Sequence, residues 1–153
     1  MSILRSPIPR PALVYALAGL LPFLACTVLV FLRGDDTQVA VTVEALYAAV
    51  ILSFLGGARW GIEIPRQVPR AGVITLTMMP SVLGFATALW TMSGDQGTHA
   101  ASGLGILAVL FVACGVWDVT SRDVPDWYPR LRIALTLCVV ILLGVSALGV
   151  LLG

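Results

Sequence analysis

The stretch Phe54–Arg70, FLGGARWGIEIPRQVPR, changes character halfway along. Its first half is apolar and small, and its second half is broken by Pro65 and Pro69 and carries Arg66 and Arg70. Between the halves, Arg59 and Glu63 stand four residues apart beside Gly56, Gly57 and Gly61. Such a stretch reads as the end of a transmembrane helix reaching a charged surface, with tryptophan at the boundary where an apolar ring and a wet N–H are both satisfied.

The rest of the chain supports that reading. Of 153 residues, 59% are hydrophobic and 11% charged, and the mean hydropathy is +1.00. Soluble domains carry about 25% charged residues. So much apolar surface demands lipid as its solvent. The formal net charge is +1, which leaves no basic footprint for nucleic acid. All nine basic residues are arginine, a bias expected of a GC-rich bacterial genome.

Five apolar runs are long enough to cross a hydrocarbon core of about 30 Å: approximately 12–32, 41–61, 71–92, 100–119 and 132–152. The expected fold is all-α, one domain over 1–153, an integral membrane bundle of five transmembrane helices. The first run follows Arg5 and Arg10, and Phe23-Leu24-Ala25-Cys26 resembles a cleavage box. It continues to Leu32, too long for a signal peptide, and reads as an uncleaved span. Arg5, Arg10, Arg59, Arg66, Arg70, Arg122, Arg130 and Arg132 fall on one side; Arg33 falls on the other with Asp35, Asp36, Glu44 and Asp95. The positive-inside bias places the N-terminus in the cytoplasm and the C-terminus across a bacterial inner membrane.

Helices in lipid associate along small residues. The second span offers Ala45, Ala49, Ser53, Gly57 and Gly61, and the third Thr77, Ser81, Gly84, Ala88 and Thr91. These ridges predict a central antiparallel pair, and Pro22 and Pro80 predict kinks in spans one and three. Gly103, Gly105, Gly144 and Gly149 mark a candidate docking face on spans four and five.

Two stretches carry candidate chemistry. At about 100° per residue Arg59 points away from Gly57, and Glu63 follows on nearly the same face as an i,i+4 partner. In Val116–Thr136, VWDVTSRDVPDWYPRLRIALT, the pairs Asp118–Arg122 and Asp126–Arg130 have the same spacing; Trp117, Trp127 and Tyr128 form an aromatic belt, and Asp126 is placed to cap the last helix. Arg59, Trp60, Glu63, Asp118, Trp127, Tyr128, Arg130 and Arg132 form the candidate ligand, lipid or partner site, all on one membrane face. Cys26, Cys114 and Cys138 lie in apolar runs and read as buried small hydrophobes. His99 stands without neighbouring ligands, so no metal and no cofactor is expected.

YAAVILSFLGGARWGIE (Tyr47–Glu63) followed by PDWYPRLRIALT (Pro125–Thr136) resembles domain-of-unknown-function family 3429, small polytopic membrane proteins that include eukaryotic transmembrane protein 69. The shared elements are F-x-G-G-x-x-W-G, on Phe54, Gly56, Gly57, Trp60 and Gly61, and W-Y-x-x-L-R-x-x-L-T, on Trp127, Tyr128, Leu131, Arg132, Leu135 and Thr136. The resemblance implies a membrane bundle and no particular activity.

The leading functional expectation is a non-enzymatic accessory, assembly or scaffold protein whose partners are the bilayer and other membrane proteins or a second copy. The alternative is binding or transport of a small hydrophobic or anionic ligand, or a lipid, at the cytoplasmic-side Arg/Trp/acid cluster. Ser53 and Ser81 have no histidine at their depth and the chain lacks HExxH and GxSxG, which argues against an enzyme.

Overall fold

Pro22 decides how the first span is built. It has no N–H to offer the carbonyl of Ala18, so the helix breaks there instead of merely bending. In the computed structural model, which describes residues 7–32, 34, 37–94 and 97–152, this span comprises α1 (Arg10–Ala18) and α2 (Leu21–Leu32). The Tyr47 hydroxyl closes the break by donating to Gly19 O at 3.0 Å. Its ring also packs edge-on against Phe23, with centroids 5.1 Å apart.

The remaining spans are α3 (Thr37–Glu63), α4 (Ala71–Ser93), α5 (Thr98–Thr120) and α6 (Tyr128–Leu152). Among the described residues five spans are long and apolar enough to cross a membrane, and there is no strand. Pro80 lies inside α4, which continues unbroken through it. Of the charges behind the orientation argument, Arg5, Arg33, Asp35, Asp36 and Asp95 lie outside the described residues.

The second span, α3, is the column around which the others stand. Half of its apolar window is buried, against a third or less in the other four. It packs most extensively on α4, as the small-residue ridges imply, and also meets α2 and α5; α6 closes the ring against α5 and α2. Phe23, Leu52, Leu104, Leu107, Phe111 and Leu143 fill the interior. The outer surface is apolar too, with Leu24, Val50, Phe54, Leu83, Val109 and Ile141 exposed where lipid would lie.

One half of the α3 ridge is not where the spacing puts it. Ala45 and Ala49 are buried, Ser53 is exposed but accepts a hydrogen bond from Ser81 at 3.1 Å, and Gly57 and Gly61 are exposed with open space beside them. A strict four-residue repeat drifts by about 40° per step on a 3.6-residue helix, so by Gly61 it has turned about 160° from Ala45. The buried stripe instead alternates fours and threes: Ala45, Ala49, Leu52, Gly56, Arg59, Glu63. Gly56, not Gly57, is the close-contact glycine, with no room for a Cβ against the Thr77 carbonyl of α4. On α4 the partners Gly84 and Ala88 are buried as expected, and a Cβ on Gly84 would lie 3.3 Å from Ala49 Cα.

The proposed docking face is likewise divided. Gly103 abuts Thr91 and Gly149 abuts Val30, both inside the bundle, while Gly105 and Gly144 have open space. Cys26 and Cys114 are buried, but Cys138 is exposed on the outer face of α6.

Candidate functional site

The buried stripe of α3 ends in two charges, Arg59 and Glu63, and each finds its partner on another element. Arg59 Nε donates to Asp118 Oδ1 on α5 at 2.6 Å. Its Nη1 donates to Ser121 Oγ at 2.7 Å and its Nη2 to the Trp117 carbonyl at 3.2 Å. The same guanidinium lies 5.5 Å from the centroid of the Trp117 ring, a cation–π distance. The i,i+4 pair with Glu63 therefore does not form. Arginine preceding glutamate is the weaker orientation of such a pair, and the tertiary partner is fixed in place.

Asp118 is shared. Its Oδ2 lies 2.7 Å from Arg132 Nε on α6 and accepts a longer hydrogen bond, 3.3 Å, from the Tyr128 hydroxyl. Arg59, Asp118 and Arg132 are 7%, 4% and 5% exposed, so two buried cations divide one buried carboxylate. The second of them is poorly served. Arg132 Nε is close to Oδ2 but its N–H is not directed at it, and neither Nε nor Nη2 has a hydrogen-bond acceptor among the described residues. Thr136 Oγ1, one turn along α6, is buried and also without a partner there.

The expected Asp118–Arg122 pair fails for a local reason: α5 ends at Thr120 and Ser121 is extended, so Arg122 is no longer on the helix. Asp126 does not occupy the capping position either. The last span starts at Tyr128, and Leu131 N–H donates to Trp127 O at 3.4 Å. Arg130 and Trp60 stay off the triad, one exposed and the other half-buried.

Glu63 belongs to a second, outer cluster. It accepts from the Arg70 backbone N–H at 2.7 Å and from Arg70 Nη2 at 2.7 Å, and Arg66 Nε donates to it at 3.2 Å. Arg66 and Arg70 then both reach Asp123, at 2.7 and 3.0 Å. This clamp ties the α3–α4 loop to the α5–α6 loop. Arg70 first, and then Arg66, hold the Asp123 carboxyl below its ordinary pKa of 3.8. Arg66, Arg70, Ser121, Asp123 and Trp117 were absent from the site expected from sequence. Glu63–Arg66 has i,i+3 spacing, but the bonds to Asp123 cross between loops and those from Arg59 to Ser121 and Trp117 cross from α3 to the end of α5, where no helical spacing signals them.

Two cavities reach the triad, one at Arg59 and the other at Arg132. A polar vestibule of about 530 Å³ opens between the two loops and has Arg59, Glu63, Arg70, Ser121 and Asp123 in its wall. An apolar cavity of about 340 Å³ lies between α1, α2, α3, α5 and α6 and opens to the outer surface at the exposed Tyr15 and Phe54; Phe23, Trp127, Leu131 and Leu135 also line it, with Arg132 and Tyr128 at its polar edge. A buried guanidinium beside an apolar cavity is suited to an anion that carries a hydrocarbon tail.

Glu44 is the other residue the sequence misplaced. Counted there as a boundary charge, it is fully buried in α3, one helical repeat from Ala40 and Ala48 on the same inward stripe.

Comparison with known proteins agrees with the architecture. A model of a family described as a protein of unknown function, DUF3429, matches residues 8–148. Transmembrane protein 69 of Xenopus tropicalis is 34% identical over 137 residues, covering 86% of this chain and 51% of that protein. Transmembrane protein 69 of Mus musculus is 32% identical over 138 residues, covering 84% and 52%. The chain thus spans about half the length of the curated relatives it matches. No solved structure matches it. With five apolar spans, both motifs on one end of the bundle and a family match over nearly its whole length, the chain is a multi-pass membrane protein that belongs to the DUF3429 family.

Proposed function

We propose that the protein binds an anionic amphiphile, its headgroup at Arg132 and its chain in the apolar cavity. One observation carries the reading: Arg59 and Arg132 share the single carboxylate of Asp118, which among the described residues leaves one positive charge in the interior uncompensated. Buried charge is tolerated when it is paired and hydrogen-bonded, and Arg132 has only a shared carboxylate, with Nε and Nη2 lacking acceptors among the described residues. Phosphate, carboxylate or sulfate on a lipid tail supplies what is missing. The lining of aromatic and branched side chains supplies the matching apolar wall.

The role is one of binding, not catalysis. Asp118 is engaged by arginine, and Ser53 and Ser81 bond to each other at 3.1 Å, away from any activating base. The arginine distribution supports a bacterial cytoplasmic membrane with this end of the bundle inside. An accessory or assembly role is a second reading. It is supported by the outward face of α3, where Gly57 and Gly61 leave room for another helix to approach.

Native mass spectrometry of gently extracted protein separates the two. The expected spectrum shows a lipid-sized mass that persists in Arg66→Gln and disappears in Arg132→Met. A bare wild-type monomer contradicts amphiphile binding, and a protein adduct released by Gly57→Leu selects the accessory role.

A further inference from the structure

A second polar cluster lies at the opposite end of the bundle, and its imbalance has the opposite sign. Glu44 of α3 is completely buried, Thr27 of α2 is 6% exposed and Ser146 of α6 is completely buried. Around the Thr27 hydroxyl stand Phe23 O at 2.9 Å, Ser146 Oγ at 3.0 Å, Glu44 Oε1 at 3.4 Å and Leu142 O at 3.5 Å. Ser146 and the Glu44 carboxyl are thus linked through the Thr27 hydroxyl.

The protons do not suffice for this many oxygens. A threonine hydroxyl has one proton to give, yet Thr27 faces three acceptors, Phe23 O, Glu44 Oε1 and Leu142 O. Ser146 donates to Thr27. Glu44 Oε2 is left without any partner among the described residues. Arg59, Arg66, Arg70 and Arg132, the arginines seen in ion pairs, are all held at the other end. Cys26 on α2 is a further titratable group within electrostatic reach of the carboxyl, and a thiol supplies no positive charge. Carboxylate, hydroxyl and carbonyl oxygens from three helices therefore converge without a cation among the described residues, outside which Arg33 lies.

Hard oxygen donors select hard cations. One carboxylate among otherwise neutral ligands is balanced by a single positive charge. A cation the size of Ca²⁺, as Na⁺ is, holds oxygens at about 2.4 Å, which sets neighbouring ligands of an octahedron about 3.4 Å apart. The separations of Glu44 Oε1 and Leu142 O from Thr27 Oγ1, 3.4 and 3.5 Å, match that edge. Glu44 lies seven residues inside the start of α3, about 10 Å along its axis. We propose that Glu44, Thr27, Ser146 and the Leu142 carbonyl form an intramembrane binding site for one Na⁺ ion. The site shares no residue with the amphiphile cavity except Phe23, whose ring lines that cavity, so either proposal stands without the other.

Thermal unfolding of the full chain in neutral detergent tests it, in NaCl, KCl and choline chloride at equal ionic strength. Saturating Na⁺ at ten times its Kd is expected to raise the midpoint by about 4 °C over choline. Glu44→Gln is expected to abolish that increment, and Ser146→Ala to weaken the apparent Na⁺ affinity at least tenfold. If Glu44→Gln does not fold, wild-type labelling by a hydrophobic carbodiimide gives the second reading, since Na⁺ at the carboxyl should slow its modification and choline should not. Equal midpoints in Na⁺ and choline would overturn the proposal. So would carbodiimide labelling indifferent to Na⁺, the result for a carboxyl that simply remains protonated.

Discussion

The two ends of α3 present the same physical problem with opposite signs. At one end Arg59 joins Asp118 and Arg132, two cations to one carboxylate. At the other Glu44 joins Thr27 and Ser146, a carboxylate among hydroxyls and carbonyls. Each cluster draws on α3 and α6 together with one further helix, α5 or α2. Lipid offers nothing to compensate a buried charge, and the two proposals answer the imbalance with a bound anionic headgroup at one end and a bound cation at the other. Burial alone does not distinguish a structural ion pair from a binding site; the count of charges and protons does.

The largest effect should come from removing the shared carboxylate. Asp118→Ala strands two buried arginines, and losing one partner of a buried pair costs about 3–5 kcal/mol. Thermal unfolding should show a fall of roughly 10 °C for a chain of this size. Arg132→Met leaves a one-to-one pair and should cost less than half as much. Equal losses in the two variants would break the claim that positive charge is in excess there.

The helix register gives the next largest contrast. Gly56→Ala drives a methyl group into the Thr77 carbonyl and should cost about 2 kcal/mol as overpacking. Gly57→Ala enters open space and should be neutral or stabilising by about 0.5–1 kcal/mol through helix propensity. A reversal of that order in unfolding midpoints would move the α3–α4 interface by one residue, and both clusters with it.

The smallest effect concerns the outer clamp, which is balanced where the triad is not: Glu63 and Asp123 face Arg66 and Arg70. The folded pKa of Asp123 is depressed below 3.8. Its contribution is therefore fully present above that pH and is lost as pH falls through the folded value. Hydrogen exchange of the loop amides should accelerate below about pH 4 in the wild type. In Asp123→Asn it should already be fast at neutral pH and show less acid dependence.

The spans were legible in the sequence because lipid imposes a length and a composition that local residues alone reveal. Each boundary moved by four residues or fewer, as with the last span, which starts at Tyr128 and not 132. That Arg59, Asp118, Tyr128 and Arg132 lie at one end of the bundle was also readable, since they sit at helix ends that the topology gathers. Their pairing was not. Helical spacing offered Arg59 a partner at Glu63, and the fold gave it Asp118, 59 residues away in sequence. The inward turn of Glu44 was hidden for a related reason. A charge near a span end reads as a boundary residue, and only the inward stripe shared with Ala40 and Ala48 shows that it faces the core.

The central claim is that the bundle interior holds one uncompensated positive charge beside an apolar cavity. Its most direct test is the unfolding midpoint in neutral detergent as a long-chain alkyl phosphate is added, with the matching alkyl phosphocholine as control. A saturable rise with the anionic amphiphile, absent with the zwitterionic one and lost in Arg132→Met, is the expected result. An equal response to both amphiphiles, or one that survives in Arg132→Met, would contradict it.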